Sequence, residues 1–295
     1  VGAEDKRPGI SLKPGSAKEM TMLKGINYWA FGGAEPVAAM QTARALGFDC
    51  FEFTVEPHGP VSLETTQAGA ERLREQAARI GLQLKTVAAG LSWGTPPTHP
   101  DPAVRAQAVK NTLKIIEVAA WLGAESILYV PGMVSAVFIP DFVPQPYDQV
   151  YQRARESLLE VLPTAEKLRV RIGVENVWNR FLLSPLEMRD FIDSFGSNYV
   201  GSYFDVGNVM LYGHPEHWIS ILGPRIFAVH LKDFRVNVGN LDGFVDLLAG
   251  DVKYPAVMAA LRQIGYQGAH TAEIVPGQPG CVEKAIAAMN IIERM

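Results

Sequence analysis

Three carboxylates and one imidazole recur at similar depths in four successive apolar runs of this chain. The runs are RIGVENV, YVGSYFDVGN, IFAVHLKD and GAHTAEIV, and they carry Glu175, Asp205, His230 and Glu273 near their ends. In an extended strand side chains alternate between two faces, so residues i and i+2 share one. By that alternation Ile172 with Val174, Phe204 with Val206, Phe227 with Val229 and Leu231, and Ala272 with Ile274 make apolar faces. All four polar residues stand on the opposite face. His270 has the parity of Ala272 rather than Glu273, which assigns it to the apolar, helix-facing side and outside the site.

Convergence of three carboxylates needs compensation. At roughly 4 Å and an effective dielectric near 20, each like-charged pair costs about 4 kcal/mol, so three pairs cost about 12. Protons or a cation must relieve this, and with an imidazole in the set a single divalent ion does so while using all four side chains as ligands. Oxygen-rich ligation with one nitrogen suits Mn²⁺, which is favoured here, or Mg²⁺ and Co²⁺; Zn²⁺ is compatible but more often has a majority of His or Cys ligands. A lone Glu at a strand end is usually a solvated carboxylate, and a lone His a satisfied structural group. The shared end and shared face of the four argue for a common purpose.

The intervening segments explain how such residues are brought together. Strand-like runs at LKGINYWAF, CFEFTVE, QLKTVAAG and SILYVPG precede the four above. Helical patterns follow each, at 36–46, 63–80, 102–122, 147–168, 185–195, 215–222, 255–264 and 282–294, several opened by Pro and closed by Gly. Strict alternation implies parallel strands with helical crossovers, and eight units fit a closed (β/α)8 TIM barrel forming a single domain over 23–295. Residues 1–22 are rich in Pro, Gly and charge without periodicity and read as a poorly ordered arm. Barrel sites lie at the C-terminal strand ends, where all four residues fall. Three long connections at that end, 91–101, 133–146 and 234–251, read as lids or binding walls without secondary structure.

Composition narrows the class. The 295 residues are 48% hydrophobic with a formal charge of −4, which gives no basic footprint for nucleic acid. No apolar run approaches the roughly 18 residues of a membrane span. Cys50 and Cys281 are read as free thiols. A cytoplasmic location is expected, with an export signal removed ahead of Val1 as the alternative; a homo-oligomer is compatible with the sequence.

At VEN, FDVGN, VHLKD and TAEI the chain resembles the xylose-isomerase-like barrel superfamily, specifically its sugar phosphate isomerase/epimerase group, which includes ketose 3-epimerases and L-ribulose-5-phosphate 3-epimerase. The resemblance runs from Leu23 onward. It implies one divalent metal on Glu175, Asp205, His230 and Glu273, with Glu175 and Glu273 also serving as acid and base. Tagatose-type 3-epimerases carry His three residues after the metal Asp, where this chain has Asn208; the DVGN pattern looks more like the L-ribulose-5-phosphate group.

The expected reaction is isomerisation or epimerisation of a ketose or ketose phosphate through an enediolate, one Glu removing a proton and the other returning one. Alternatives are a metal-dependent dehydratase of a keto-cyclitol or related substrate, and a non-catalytic carbohydrate-binding barrel. Asn208 and Lys232 are candidates for substrate oxygens, Arg180 and Arg235 for a phosphate, Glu56 for the mouth, and Trp29, Trp93 and Trp178 for covering a sugar. The DVGN pattern with Arg180, Lys232 and Arg235 tilts the expectation slightly toward an anionic sugar.

Overall fold

The computed structural model describes residues 22–274 and 279–295. The expected arm over 1–22 lies outside them, except for Met22, which is buried. In chain order the elements are β1 (Leu23–Asn27), α1 (Pro36–Leu46), β2 (Cys50–Val55), α2 (Gln67–Ile80), β3 (Thr86–Ala89), α3 (Pro102–Leu122), β4 (Ser126–Tyr129), α4 (Tyr147–Leu168), β5 (Arg171–Glu175), α5 (Pro185–Asp193), β6 (Val200–Asp205), α6 (Pro215–Leu222), β7 (Ile226–Leu231), a short β8 (Asp233–Phe234) and β9 (Phe244–Val245), α7 (Tyr254–Gln263), β10 (Ala269–Ala272) and α8 (Cys281–Ile292). Eight of the strands close a barrel in the order β1-β10-β7-β6-β5-β4-β3-β2, all parallel. The (β/α)8 TIM barrel read from the alternation is therefore the fold.

Local chemistry sets most boundaries. Pro opens α1, α3, α5 and α6 within the first turn, where its missing N–H has no partner to lose. Helix α2 begins four residues later than its apolar pattern, because Thr66 caps it, its hydroxyl accepting from Gly69 N at 3.2 Å. The expected first strand also ends early. Asn27, the last residue of β1, caps a 3₁₀ turn over Tyr28–Phe31, its Oδ1 accepting from Trp29 N at 2.9 Å, so Trp29 is set at the barrel mouth rather than in a strand.

Two further expectations change. Phe227 does not share the helix-facing side with Val229 and Leu231: the β6–β7 register pairs Ser202 with Ile226 but Tyr203 with Ala228, so Phe227 is an extra, bulged residue. Its half-buried ring lies under the Arg171 guanidinium at 4.7 Å and lines a cavity at the N-terminal end of the barrel. The 234–251 connection, expected to lack secondary structure, carries the β8–β9 hairpin. Buried Asp233 fastens it, accepting from Phe234 N at 2.8 Å, Val252 N at 3.2 Å and Gly250 N at 3.1 Å.

Outside the barrel, Ile172, Val174, Phe204, Val206, Val229, Leu231 and Ala272 pack with the helices in one core, as their parity requires. Inside, Ala88, Leu128, Val130 and Ala228 form a second, smaller apolar cluster with the buried Tyr203. Gly173, paired with Gly201 on the next strand, makes room for it: a Cβ there would lie 2.9 Å from that of Tyr203.

His270 lies on the helix-facing side, wholly buried, with Nε2 3.7 Å from Glu293 but neither ring nitrogen hydrogen-bonded. Burial, with the charge of Lys24, pushes its pKa down to about 4. The unfolded chain, with His near 6.5, binds more protons between these values, so the stability from His270 is complete above about pH 6.5 and is lost as pH falls toward 4. By pH 5 the loss reaches about 2 kcal/mol. Denaturant titrations at pH 7 and pH 5 should show it as a difference in pH sensitivity between wild type and His270→Leu; identical sensitivity would refute the assignment.

Candidate metal centre and active site

Glu175 and Asp205 are the last residues of β5 and β6, His230 is the penultimate residue of β7, and Glu273 follows β10 directly. Parallel register aligns them: Asp205 pairs with His230, and His230 with Thr271, two residues before Glu273. One ligand atom from each of the four lies within 4.8 Å of the others. Asp205 Oδ2, His230 Nδ1 and Glu273 Oε2 are buried there without a hydrogen-bond partner. Buried polar atoms are ordinarily paired, so two oxygens and a ring nitrogen left open around one point fit a cation. The residues present therefore suit one divalent ion.

The remaining lone pairs hold the frame. Asp205 Oδ1 accepts from Asn208 N at 2.7 Å. Asn176 bridges the tops of β5 and β6, donating to Asp205 O at 2.7 Å and accepting from Asp205 N at 2.9 Å. Asn208 Nδ2 donates to Asn176 O at 3.1 Å and to Glu175 Oε1 at 3.4 Å. Lys232 Nζ lies 2.9 Å from Glu273 Oε1 and 3.6 Å from Asp205 Oδ2.

Charge in this set is unevenly distributed. Burial, then the neighbouring Glu273 and Asp205, push Glu175 well above the usual carboxylate range. Burial raises Asp205 to about 7 against the pull of Lys232. Glu273 is also buried, yet Lys232 and His230 hold it well below that range. Burial alone would lower His230, but Glu52 and then Glu273 hold it well above the ordinary imidazole value. A divalent cation held by these residues would supply the compensation that protons otherwise give.

Above the carboxylates is a cavity of about 300 Å³. Its polar lining is confined to the metal end, with Glu175, Asn208, Lys232 and Glu273, while Trp29, Trp93, Phe138, Trp178, Leu241 and Phe244 form walls. Trp93 meets Phe138 edge-on at 4.7 Å, and Trp178 meets Phe244 at 5.0 Å. Trp178 Nε1 donates to Asn208 O at 2.9 Å, linking wall to frame. The long loops thus act through their aromatic residues.

Three sequence candidates do not line this cavity. Arg180 is exposed at a left-handed φ of 52°, in a turn pinned by Asn179, which donates to Gly132 O and accepts from Phe181 N. Arg235 is exposed and its Nε donates to Ala249 O at 3.0 Å. Glu56 has the expected parity, but β2 ends at Val55 and the chain turns away, leaving Glu56 exposed with its N–H donating to Val61 O. Two buried groups escaped the sequence reading. Asn176 stands one residue past Glu175, and Glu52 lies inside the barrel with Oε1 2.8 Å from His230 Nε2. The single charged residue within the strand CFEFTV was the available signal for Glu52.

The chain matches the xylose isomerase-like TIM barrel family across residues 40–291, a stretch that contains all four ligand candidates. It belongs to that family. It is similar to the uncharacterized protein MJ1311 of Methanocaldococcus jannaschii, at 27% identity over 58% of this chain and 58% of that one. The chain thus spans less than two thirds of that relative. It is 26% identical to the putative L-ribulose-5-phosphate 3-epimerase SgbU of Escherichia coli K12, over 79% of this chain and 81% of SgbU. Among solved structures its fold is similar to D-psicose 3-epimerase from Clostridium cellulolyticum H10, determined with D-tagatose: TM-score 0.74, 20% identity, 92% of this chain and 98% of the other. No helix among the described residues is long and apolar enough to cross a membrane.

Proposed function

We propose that the protein is a divalent-metal-dependent epimerase or isomerase of a neutral ketose or ketose-like sugar. The observation that carries this is the pair Glu175 and Glu273, which face one set of donor atoms from strands separated in the barrel by β6 and β7. A bound ion, Mn²⁺ by preference, would neutralise the carboxylates and polarise the substrate oxygens. The protein's own groups handle the proton: one Glu takes it from the carbon beside the carbonyl, and its counterpart returns one from the other side. Asn208, donating toward Glu175, and Lys232, at Glu273, orient the two carboxylates. The tryptophan walls keep water from the reacting carbon.

The lining also bears on substrate class. The names of SgbU and of the D-psicose enzyme both point to ketose 3-epimerisation, the first on a phosphate. The DVGN pattern favours the phosphorylated substrate as a second reading. Against it, Lys232 is the one cationic side chain among the described residues lining the cavity, and it is already paired with Glu273. A phosphate at the aromatic end would have no charged partner there, so a neutral sugar is the better fit.

Incubation with a panel of ketoses and their phosphates in heavy water should give deuterium at the carbon beside the carbonyl. We expect kcat/KM for the best neutral ketose to exceed that of its phosphate by at least about tenfold, the factor that each 1.4 kcal/mol of differential binding yields. Preference for the phosphate would reverse the substrate reading. No exchange with any sugar, or a product lighter by one water, would replace the epimerase reading.

A further inference from the structure

We propose that Glu52 is a positioning residue that fixes the tautomer of His230, keeping the proton on Nε2 and presenting Nδ1 to the metal. This rests on the four-residue metal centre described above. The two nitrogens have different surroundings. Nε2 is 2.8 Å from Glu52 Oε1 in hydrogen-bonding geometry. Nδ1 comes within 2.9 Å of Glu273 Oε2 yet makes no hydrogen bond, and it shares the open side with the other ligand atoms.

Glu52 is itself unable to turn away. It is almost wholly buried, and its Oε2 accepts from Thr86 Oγ1 at 2.5 Å and from the Tyr203 hydroxyl. Its Oε1 also accepts from Asn27 Nδ2 at 2.5 Å. With Oε2 supplied by two hydroxyl donors and Oε1 by an amide, the direction left on Oε1 is toward Nε2, which must then be the protonated nitrogen. The Tyr203 ring stands edge-on to the imidazole at 4.5 Å and fixes its plane. Four strands, β1, β2, β3 and β6, thus hold one ligand on a fifth, β7. Asn27 Oδ1 in turn accepts from Thr54 Oγ1 and from Trp29 N, so the network ends at a wall of the cavity. A carboxylate on the far nitrogen orients a ligating histidine and raises its basicity, and its loss typically costs about 10- to 100-fold in metal affinity.

Mn²⁺ titration of the purified protein, read by calorimetry with no substrate present, provides the test. Glu52→Ala should weaken Mn²⁺ binding by about 10- to 100-fold. Glu52→Gln, whose amide oxygen can still accept from Nε2–H, should fall between Glu52→Ala and wild type. Folded Glu52→Ala that binds Mn²⁺ as tightly as wild type would overturn the proposal, as would Glu52→Gln no better than Glu52→Ala. Should Glu52→Ala not fold, the wild type still decides: long-range proton–nitrogen correlation of the Zn²⁺-loaded, ¹⁵N-histidine-labelled protein should place the His230 proton on Nε2. A proton on Nδ1 would refute the assignment. Wild type that takes up no ion brings down the metal centre itself, an outcome distinct from unchanged binding in the variant.

Discussion

Glu175→Gln and Glu273→Gln should each lower turnover by about 10²- to 10⁴-fold, the usual cost of losing a positioned acid or base. Gln keeps the shape and one ligand oxygen, so the proteins should stay folded. The informative readout is exchange. If the two carboxylates serve opposite faces of the reacting carbon, each variant should still exchange solvent deuterium into one epimer and fail with the other, giving mirror-image patterns. A one-base isomerase behaves differently: one variant loses all exchange, while the other loses metal affinity alone. Near-normal turnover in both, with metal bound, would dismiss both carboxylates as bases. The present geometry favours the symmetrical result, because each Glu has its own orienting donor, Asn208 Nδ2 at 3.4 Å for Glu175 and Lys232 Nζ at 2.9 Å for Glu273.

Protein purified without chelator should carry about one equivalent of divalent metal, and His230→Ala should lose it. The substitution removes the one nitrogen ligand and leaves Glu52 buried without its imidazole partner. His270→Ala is the control: it empties a buried position on the other side of the sheet, so it should cost stability but leave metal stoichiometry near wild type. Elemental analysis with Mn²⁺, Co²⁺ and Zn²⁺ titration checks both. Metal retained in His230→Ala, or wild type binding none of the three ions, would disprove the four-ligand centre. Removing the ion from wild type should also lower the unfolding temperature, since a ligand that binds only the folded state stabilises it by mass action.

Much of this was legible in the chain before any coordinates, because it depends on local rules. Two-residue alternation put Glu175, Asp205, His230 and Glu273 on one face and Val174, Phe204 and Val229 on the other, and both sets are where parity placed them. Boundaries marked by Pro and Gly, as in α1 and α3, were likewise local and came out unchanged. The strict strand–helix alternation implied the closed parallel barrel, since each crossover returns the chain to the same end.

Tertiary structure decided what depends on distance across the barrel. No periodicity in CFEFTV announces that Glu52 on β2 meets His230 on β7, because the two are 178 residues apart and approach only when the barrel closes. Room for Tyr203 between them comes from Gly173 on the neighbouring strand, a matter of inter-strand register. The bulge that turned Phe227 inward is also a property of the β6–β7 pair and not of either strand alone. Reach was the other unknown. Arg180, Arg235 and Glu56 sit at the correct end by sequence, but a left-handed turn, a tie to Ala249 and the early end of β2 keep them out of the cavity, while the tryptophans line it. Strand parity determines which face a residue is on; loop geometry determines whether a side chain beyond the strand comes back to that face.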